Sequence, residues 1–263
     1  YPGGKTWLVP ILRQWLNSIP ETPRYFIEPF GGGAIASLTV AFEMLADHAI
    51  FAEIEDGVAA VWNTILTGQA EWLIDEILNF ELTETNVRQR LNRDNNGHEV
   101  TLREKAFLTI LRNRVQRGGI MAPGAGLIKA GENGKGIASR WYPETLATRI
   151  RAIAEQNHRL TFHPLDGFRL IQDYAPEAEA VFFLDPPYTV AARRLYDNWE
   201  IDHRRLFEVL SQVRGDFLIT YDDTEEVRNL SDEFGFSYNR VAMKSTHHAK
   251  KNELLISRNL DWF

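Results

Sequence analysis

The chain has 263 residues, enough for one sizeable α/β domain with an inserted subdomain. Hydrophobic residues at 44% and charged residues at 25% exclude a disordered or low-complexity polypeptide. There is no cysteine, which excludes a disulfide framework and a cysteine-based zinc site and suits a reducing cytoplasm, the expected location. A formal net charge of −7, taken as a sum, argues against a nucleic-acid partner.

No stretch is apolar for long enough to span a membrane, and none has the form of a signal peptide. The sequence starts at Tyr1 without a methionine, so a trimmed chain is expected. Residues 5–16 have a helical pattern that stops before Pro20. Tyr25-Phe26-Ile27-Glu28-Pro29-Phe30-Gly31-Gly32-Gly33 reads as a short apolar strand entering a glycine loop, and residues 34–45 as an apolar helix. Three glycines let a backbone approach a ligand closely, although such loops also serve packing. No Gly-Lys-Ser/Thr follows and the spacing is not G-x-G-x-x-G, so a phosphate ligand is not specifically indicated.

The next strand, His48-Ala49-Ile50-Phe51-Ala52, ends at Glu53. In doubly wound folds an acid about 20 residues past the glycine loop accepts from ribose hydroxyls. Glu53 fits that place. Alternatively it belongs with Glu55 and Asp56 to the N-terminus of a helix running to Leu66. Beyond Gly68, helical pieces are predicted at 71–80, 84–93 and 102–114, with a turn at Asp94-Asn95-Asn96-Gly97. Residues 117–140 are Gly-rich and basic without periodicity, and a loop of that length is usually functional. A helix at 143–156 leads to a strand at 160–162. Strands at 180–184 and 216–220 then alternate with helices at 202–213 and 224–233, and residues 237–243 and 252–256 close the chain as a hairpin. Such alternation predicts a parallel, doubly wound sheet. The expected division is 1–67 with 157–263 as one domain and 68–156 as an insertion.

Charge is unevenly spread. Residues 101–151 hold ten Lys/Arg against three acids, a local +7 in an acidic chain. Lys244, Lys250 and Lys251 with His247 and His248 form a second basic group. Local sign decides what a surface attracts, although such a run can also be only a solvated helix face.

Asp185-Pro186-Pro187-Tyr188 follows the apolar strand Ala180-Val181-Phe182-Phe183-Leu184. The prolines stiffen the chain and have no N–H. The Asp185 carboxylate and the Pro186 carbonyl can both accept from one amino group, while Tyr188 can lie against the ring that carries it. That arrangement suits the exocyclic amine of a planar base. The simpler reading is a rigid Pro-Pro turn. The histidines show no metal-ligand spacing, and Asp202-His203 reads as a helix cap.

Together, Pro2-Gly3-Gly4-Lys5, Phe30-Gly31-Gly32-Gly33, Ala52-Glu53-Ile54 and Asp185-Pro186-Pro187-Tyr188, in that order, resemble the α-group DNA adenine-N6 methyltransferases, the Dam-like family. The resemblance extends from Tyr1 to about Arg258. It implies a Rossmann-like methyltransferase sheet with a terminal antiparallel hairpin, S-adenosylmethionine as donor, and an adenine flipped out of double-stranded DNA as acceptor. By the same resemblance Tyr1 and Lys5 lie near cofactor and DNA. Glu28, Phe30, Gly31, Gly32 and Gly33 border the cofactor, with residues 30–33 along its methionine part. Glu53 with Ile54 holds the ribose, and Asp166 accepts from the cofactor's adenine amine beside Gly167 and Phe168. Asp185, also at the cofactor, holds the target amine with Pro186, next to Pro187, and Tyr188 stacks on the target base.

The expected DNA contacts are Lys5, Arg114, Arg117, Lys129, Lys135, Arg140, Arg193 and Tyr196. The chain departs from the family at Glu53, where Asp is common. It departs again at residues 111–119, which lack the Asn-Arg-Tyr-Gly-type helix end of GATC-methylating members, so that target is not implied. A monomer or weak dimer is expected, with a cognate restriction endonuclease as a candidate partner. Alternatives are a cytosine-N4 methyltransferase, an RNA or protein methyltransferase with a related tetrapeptide, and a DNA-binding relative without activity.

Overall fold

The computed structural model describes residues 6–95, 99–119, 125–131, 134–186, 202–244 and 250–263. The chain divides into two compact units, one formed by Ile54–His158 and the other by the flanking segments.

The flanking segments build the sheet. Their strands are β1 (Tyr25–Glu28), β2 (His48–Ala52), β3 (Leu160–His163), β4 (Ala180–Leu184), β5 (Phe217–Asp222), β6 (Ser237–Lys244) and β7 (Lys250–Ser257), in the order β3-β2-β1-β4-β5-β7-β6. The first five are mutually parallel, and β7 inserts antiparallel between β5 and β6. Helices α1 (Val9–Ser18), α2 (Ile35–Glu43), α8 (Gly167–Tyr174), α9 (His203–Gln212) and α10 (Glu225–Phe234) accompany them. A parallel sheet is covered on both faces, so its strands are apolar throughout rather than alternating. β4, Ala-Val-Phe-Phe-Leu, is buried at all five positions.

On one face Ile27, Ile50, Phe182, Leu184, Ile219 and Tyr221 pack with Leu170 and Ile171 of α8, Phe207 and Leu210 of α9, and Val227 of α10. The residues between them, Phe26, Phe51, Phe183 and Leu218, are buried on the other side. The paired strands and terminal hairpin agree with the expected Rossmann-like sheet. Helix α8 was not anticipated. It has eight residues and begins with glycine, which hides it from a helix-period search.

The other unit is helical: α3 (Asp56–Leu66), α4 (Ala70–Asn79), α5 (Glu84–Asn95), α6 (Leu102–Val115) and α7 (Pro143–Glu155). Its core joins Ala60 and Ile65 of α3 to Leu73 and Ile77 of α4, Phe107 and Leu111 of α6, and Leu146 and Ile150 of α7. α6 opens with a capping box between Thr101 and Glu104. The unit boundary at Ile54 thus lies ahead of residue 68. Helix α3 buries its apolar stripe against α6, and a sequence shows that a stripe exists without showing its partner.

Candidate active site

β1 and β4 are neighbours in the sheet. From β1 the order runs outward to β2 and β3, and from β4 to β5, so successive connections depart in opposite directions at this pair. Such a switch point opens a crevice at the carboxyl ends of the strands. Glu28 ends β1, and Asp185 directly follows β4.

Glu28 is only 3% exposed. Its Oε2 accepts a hydrogen bond from Ser37 N at 2.8 Å. Ser37 lies in the first turn of α2, whose cap position is Ala34. Ala34 offers no side-chain cap and sits in the left-handed region at φ 49°. That conformation costs an alanine about 1–2 kcal/mol. Glu28 therefore supplies the missing cap from the adjacent strand, at the positive end of the helix. Burial pushes the Glu28 carboxyl up to about 8, hydrogen bonding with Ser37 opposes the shift, and the charge of nearby Asp185 adds to it.

The glycine loop closes on β2. Gly31 N donates to the Ala52 carbonyl at 2.8 Å. A Cβ on Gly31 would lie 3.1 Å from that oxygen and from the Phe51 ring, so glycine permits the approach. Gly32, at φ 50°, makes the turn that follows. Glu53 comes next after β2, half-buried, with its N–H donating to the His163 carbonyl at 3.4 Å. Ile54 is exposed.

Asp166 caps α8, its Oδ1 accepting from Phe168 N at 2.7 Å. The cap commits one of its two carboxylate oxygens. A Cβ on Gly167 would stand 2.5 Å from the Pro29 carbonyl and 2.8 Å from the Phe30 ring. Glycine at 167 is thus what lets α8 close onto the loop. Phe30 and Phe168 meet edge to face at 6.2 Å, and the Arg205 guanidinium lies 4.8 Å over Phe168.

Asp185 is half-buried and Pro186 buried. Thr220 Oγ1 donates to Asp185 Oδ1 at 2.9 Å. Thr220 was not among the residues singled out from the sequence. The available signal was one hydroxyl in the strand Phe217-Leu218-Ile219-Thr220-Tyr221, but only the register of β4 with β5 sets it beside Asp185. Asp202 caps α9 through Arg205 N at 2.9 Å, and His203 bonds the Tyr221 hydroxyl. Among the described residues no cluster of three or more His, Asp or Glu could hold a metal. Tyr1, Lys5, Pro187, Tyr188, Arg193 and Tyr196 lie outside the described residues, as do His247 and His248.

In the helical unit, Arg114 is half-buried in the last turn of α6. Burial first, then the charges of Arg149 and Arg140, hold its guanidinium below the ordinary arginine value. Arg140 donates to the Gln116 carbonyl at the end of α6, so part of its guanidinium serves the cap. Arg117, Lys129 and Lys135 are exposed. The segment read as an aperiodic loop has a paired base: Arg117 N donates to Gly126 O at 3.0 Å, and Ile128 N to Val115 O at 2.9 Å, around a Gln116–Leu127 bridge. A pairing this short leaves no periodic trace.

Folding raises the Glu28 carboxyl from 4.5 to about 8, so the folded chain binds that proton more tightly than the unfolded one. Its contribution to stability is full below the lower value and lost as pH rises through the upper one. Denaturant melts of the cofactor-free protein between about pH 5 and 9 are expected to show stability falling by a few kcal/mol. Glu28→Gln keeps an acceptor for Ser37 and should flatten that fall. An equally steep fall in the variant would assign the pH dependence to other groups.

No curated protein matches this sequence. Among solved structures, the tRNA methyltransferase TrmK of B. subtilis is 10% identical with a TM-score of 0.41, covering 95% of this chain and 66% of that one. The methyltransferase domain of a bacterial Hen1 protein is 6% identical at 0.41, covering 95% and 96%. A putative RNA methyltransferase from Pyrococcus horikoshii is 9% identical at 0.39, covering 95% and 78%. The family model for D12 class N6 adenine-specific DNA methyltransferases matches residues 1–246, nearly the whole sequence, and the chain belongs to that family.

Proposed function

We propose that this adenine-specific DNA methyltransferase takes its methyl group from S-adenosylmethionine and acts on the N6 amine of an adenine turned out of the double helix. The observation that carries the reading is the placement of Asp185 at the end of β4, beside Glu28 at the end of β1.

The residues fit the cofactor. S-adenosylmethionine has no phosphate, and here the first turn of α2 receives the Glu28 carboxyl, so that helix N-terminus is not a phosphate cradle. Gly31 packs closely on β2 and Gly167 on Phe30, so the loop holds a tight course at the strand ends. When bound, S-adenosylmethionine supplies an electrophilic methyl group on a sulfonium centre. Glu53 accepts from the ribose hydroxyls, and the Asp166 oxygen not used in capping accepts from the adenine amine beside Phe168.

An adenine amine is a weak nucleophile because its lone pair is delocalised into the ring. Asp185 and the Pro186 carbonyl accept from its two N–H groups and favour the pyramidal form. Orientation is the main contribution, and the acceptors offset positive charge developing on nitrogen. Turning the base out of the stack costs a few kcal/mol. Stacking on Tyr188 offsets about 1–3 kcal/mol of that. The insertion binds the phosphate backbone through its basic stretch.

The reaction is tested by incubating double-stranded DNA with the protein and methyl-labelled S-adenosylmethionine, then digesting the product to nucleosides. N6-methyladenine is expected, whereas N4-methylcytosine alone, or label only in RNA or protein, would overturn the reading. Asp185→Ala is expected to abolish turnover while leaving cofactor affinity within about tenfold, ~1.4 kcal/mol. Glu53→Ala should chiefly weaken the cofactor, and an unchanged dissociation constant would remove it from the ribose role. Replacing Arg114, Arg117, Lys129 and Lys135 together should flatten log affinity against log salt by about two units or more, since each lost phosphate contact lowers the slope by ~0.9. An unaltered slope with unaltered site preference would place the DNA surface elsewhere.

A further inference from the structure

We propose that Thr220 is the positioning residue for Asp185: its hydroxyl holds the carboxylate in the orientation that receives the target amine. This rests on the adenine-methylation reading given above.

Three observations converge on it. Thr220 is fully buried, and a buried hydroxyl needs a partner. Its Oγ1 lies 2.9 Å from Asp185 Oδ1 and 3.5 Å from the Leu184 carbonyl. A hydroxyl has one proton, and a carboxylate is the stronger acceptor, so the shorter contact takes it. The register of the sheet then fixes the geometry. Leu184 pairs with Ile219, so Thr220 is level with Asp185, the first residue past β4. Asp185 stands where regular pairing has ended, and it precedes two prolines that donate nothing. A donor anchored in β5 restrains the side chain there.

Oδ1 carries the Thr220 bond. Without the hydroxyl the carboxylate loses a restraint on rotation about its Cβ–Cγ bond. Methyl transfer depends on near-attack alignment, where a displacement of about 1 Å costs on the order of 100-fold in rate.

The test compares Thr220→Val with Thr220→Ser. Valine keeps the shape and loses the hydroxyl, and serine keeps the hydroxyl and loses a methyl group. Single-turnover methyl transfer to duplex DNA, the cofactor dissociation constant and the melting temperature are measured for each. Thr220→Val is expected to lose about 10- to 100-fold in the transfer step, with the cofactor dissociation constant within about threefold. Thr220→Ser should stay within about threefold of the parent in rate, even where its melting temperature is the lower of the two. A merely structural role predicts the reverse, with rate following melting temperature and serine faring no better than valine. That result, or a valine variant at parental rate, overturns the proposal while the parental reaction stands. A parental protein that transfers no methyl to adenine overturns the functional reading, and this proposal with it.

Discussion

Burying a carboxyl where the strand order of the sheet reverses is the constraint around which the sheet unit is arranged. Glu28 stands where the strand order reverses, out of contact with water, and its charged form is expensive there. The structure answers in two ways. The first turn of α2 is brought to it so that Ser37 N donates to the carboxyl, and the carboxyl itself is pushed up to about 8. The left-handed turn at Ala34 follows from this, because the helix has to start facing β1 and carries no cap of its own. Strand end, glycine loop and helix start are fixed together by one hydrogen-bonded acid.

The second carboxyl has the opposite surroundings. Asp185 is only half-buried and receives a hydroxyl from β5. Two acids at one crevice repel when both are charged, and a pair resolves this when their environments differ. Burial raises the Glu28 carboxyl, and the neighbouring Asp185 raises it further. Both are carboxyls at neighbouring strand ends, and burial sets them apart.

Much of this was legible in the sequence because it was local. An apolar pentapeptide followed by Asp-Pro-Pro marked β4 and its end, and Tyr25-Phe26-Ile27 before the glycines marked β1. Of the residues those motifs brought out, Glu28, Glu53 and Asp185 lie at strand ends, Asp166 at a helix start, and Gly31 in the loop between β1 and α2. What was not legible depended on pairing across the sheet or on packing. Thr220 gains its meaning from the β4–β5 register, and a strand does not declare its neighbour's register. Asp166 was read only as a ligand to the cofactor, whereas its N-cap bond to Phe168 would have announced α8. The paired base at Val115 and Ile128 needs two short segments to meet across a loop, and neither has a strand pattern by itself.

The net charge of −7 looks unsuited to DNA until the charges are followed to their partners. In the sheet unit Glu43 pairs with Arg13, Glu233 with Arg204, and Asp223 with both Arg228 and Arg240. Each such pair is nearly silent beyond a Debye length of about 8–10 Å. In the helical unit Lys105 is occupied by Asp56, Arg151 by Glu71, and Arg90 by Glu76. Among the described residues Arg114, Arg117, Lys129 and Lys135 have no such carboxylate. The end of α6 and the segment after it thus keep a large part of the basic excess of residues 101–151. Arg114 pays a visible penalty there, held below its ordinary value by burial and by two neighbouring arginines. An arrangement that packs like charges without a counter-ion is stabilised when an anion arrives, and a phosphate backbone brings one charge every few ångströms. The sum of charges describes the whole chain, but the unpaired ones determine what it attracts.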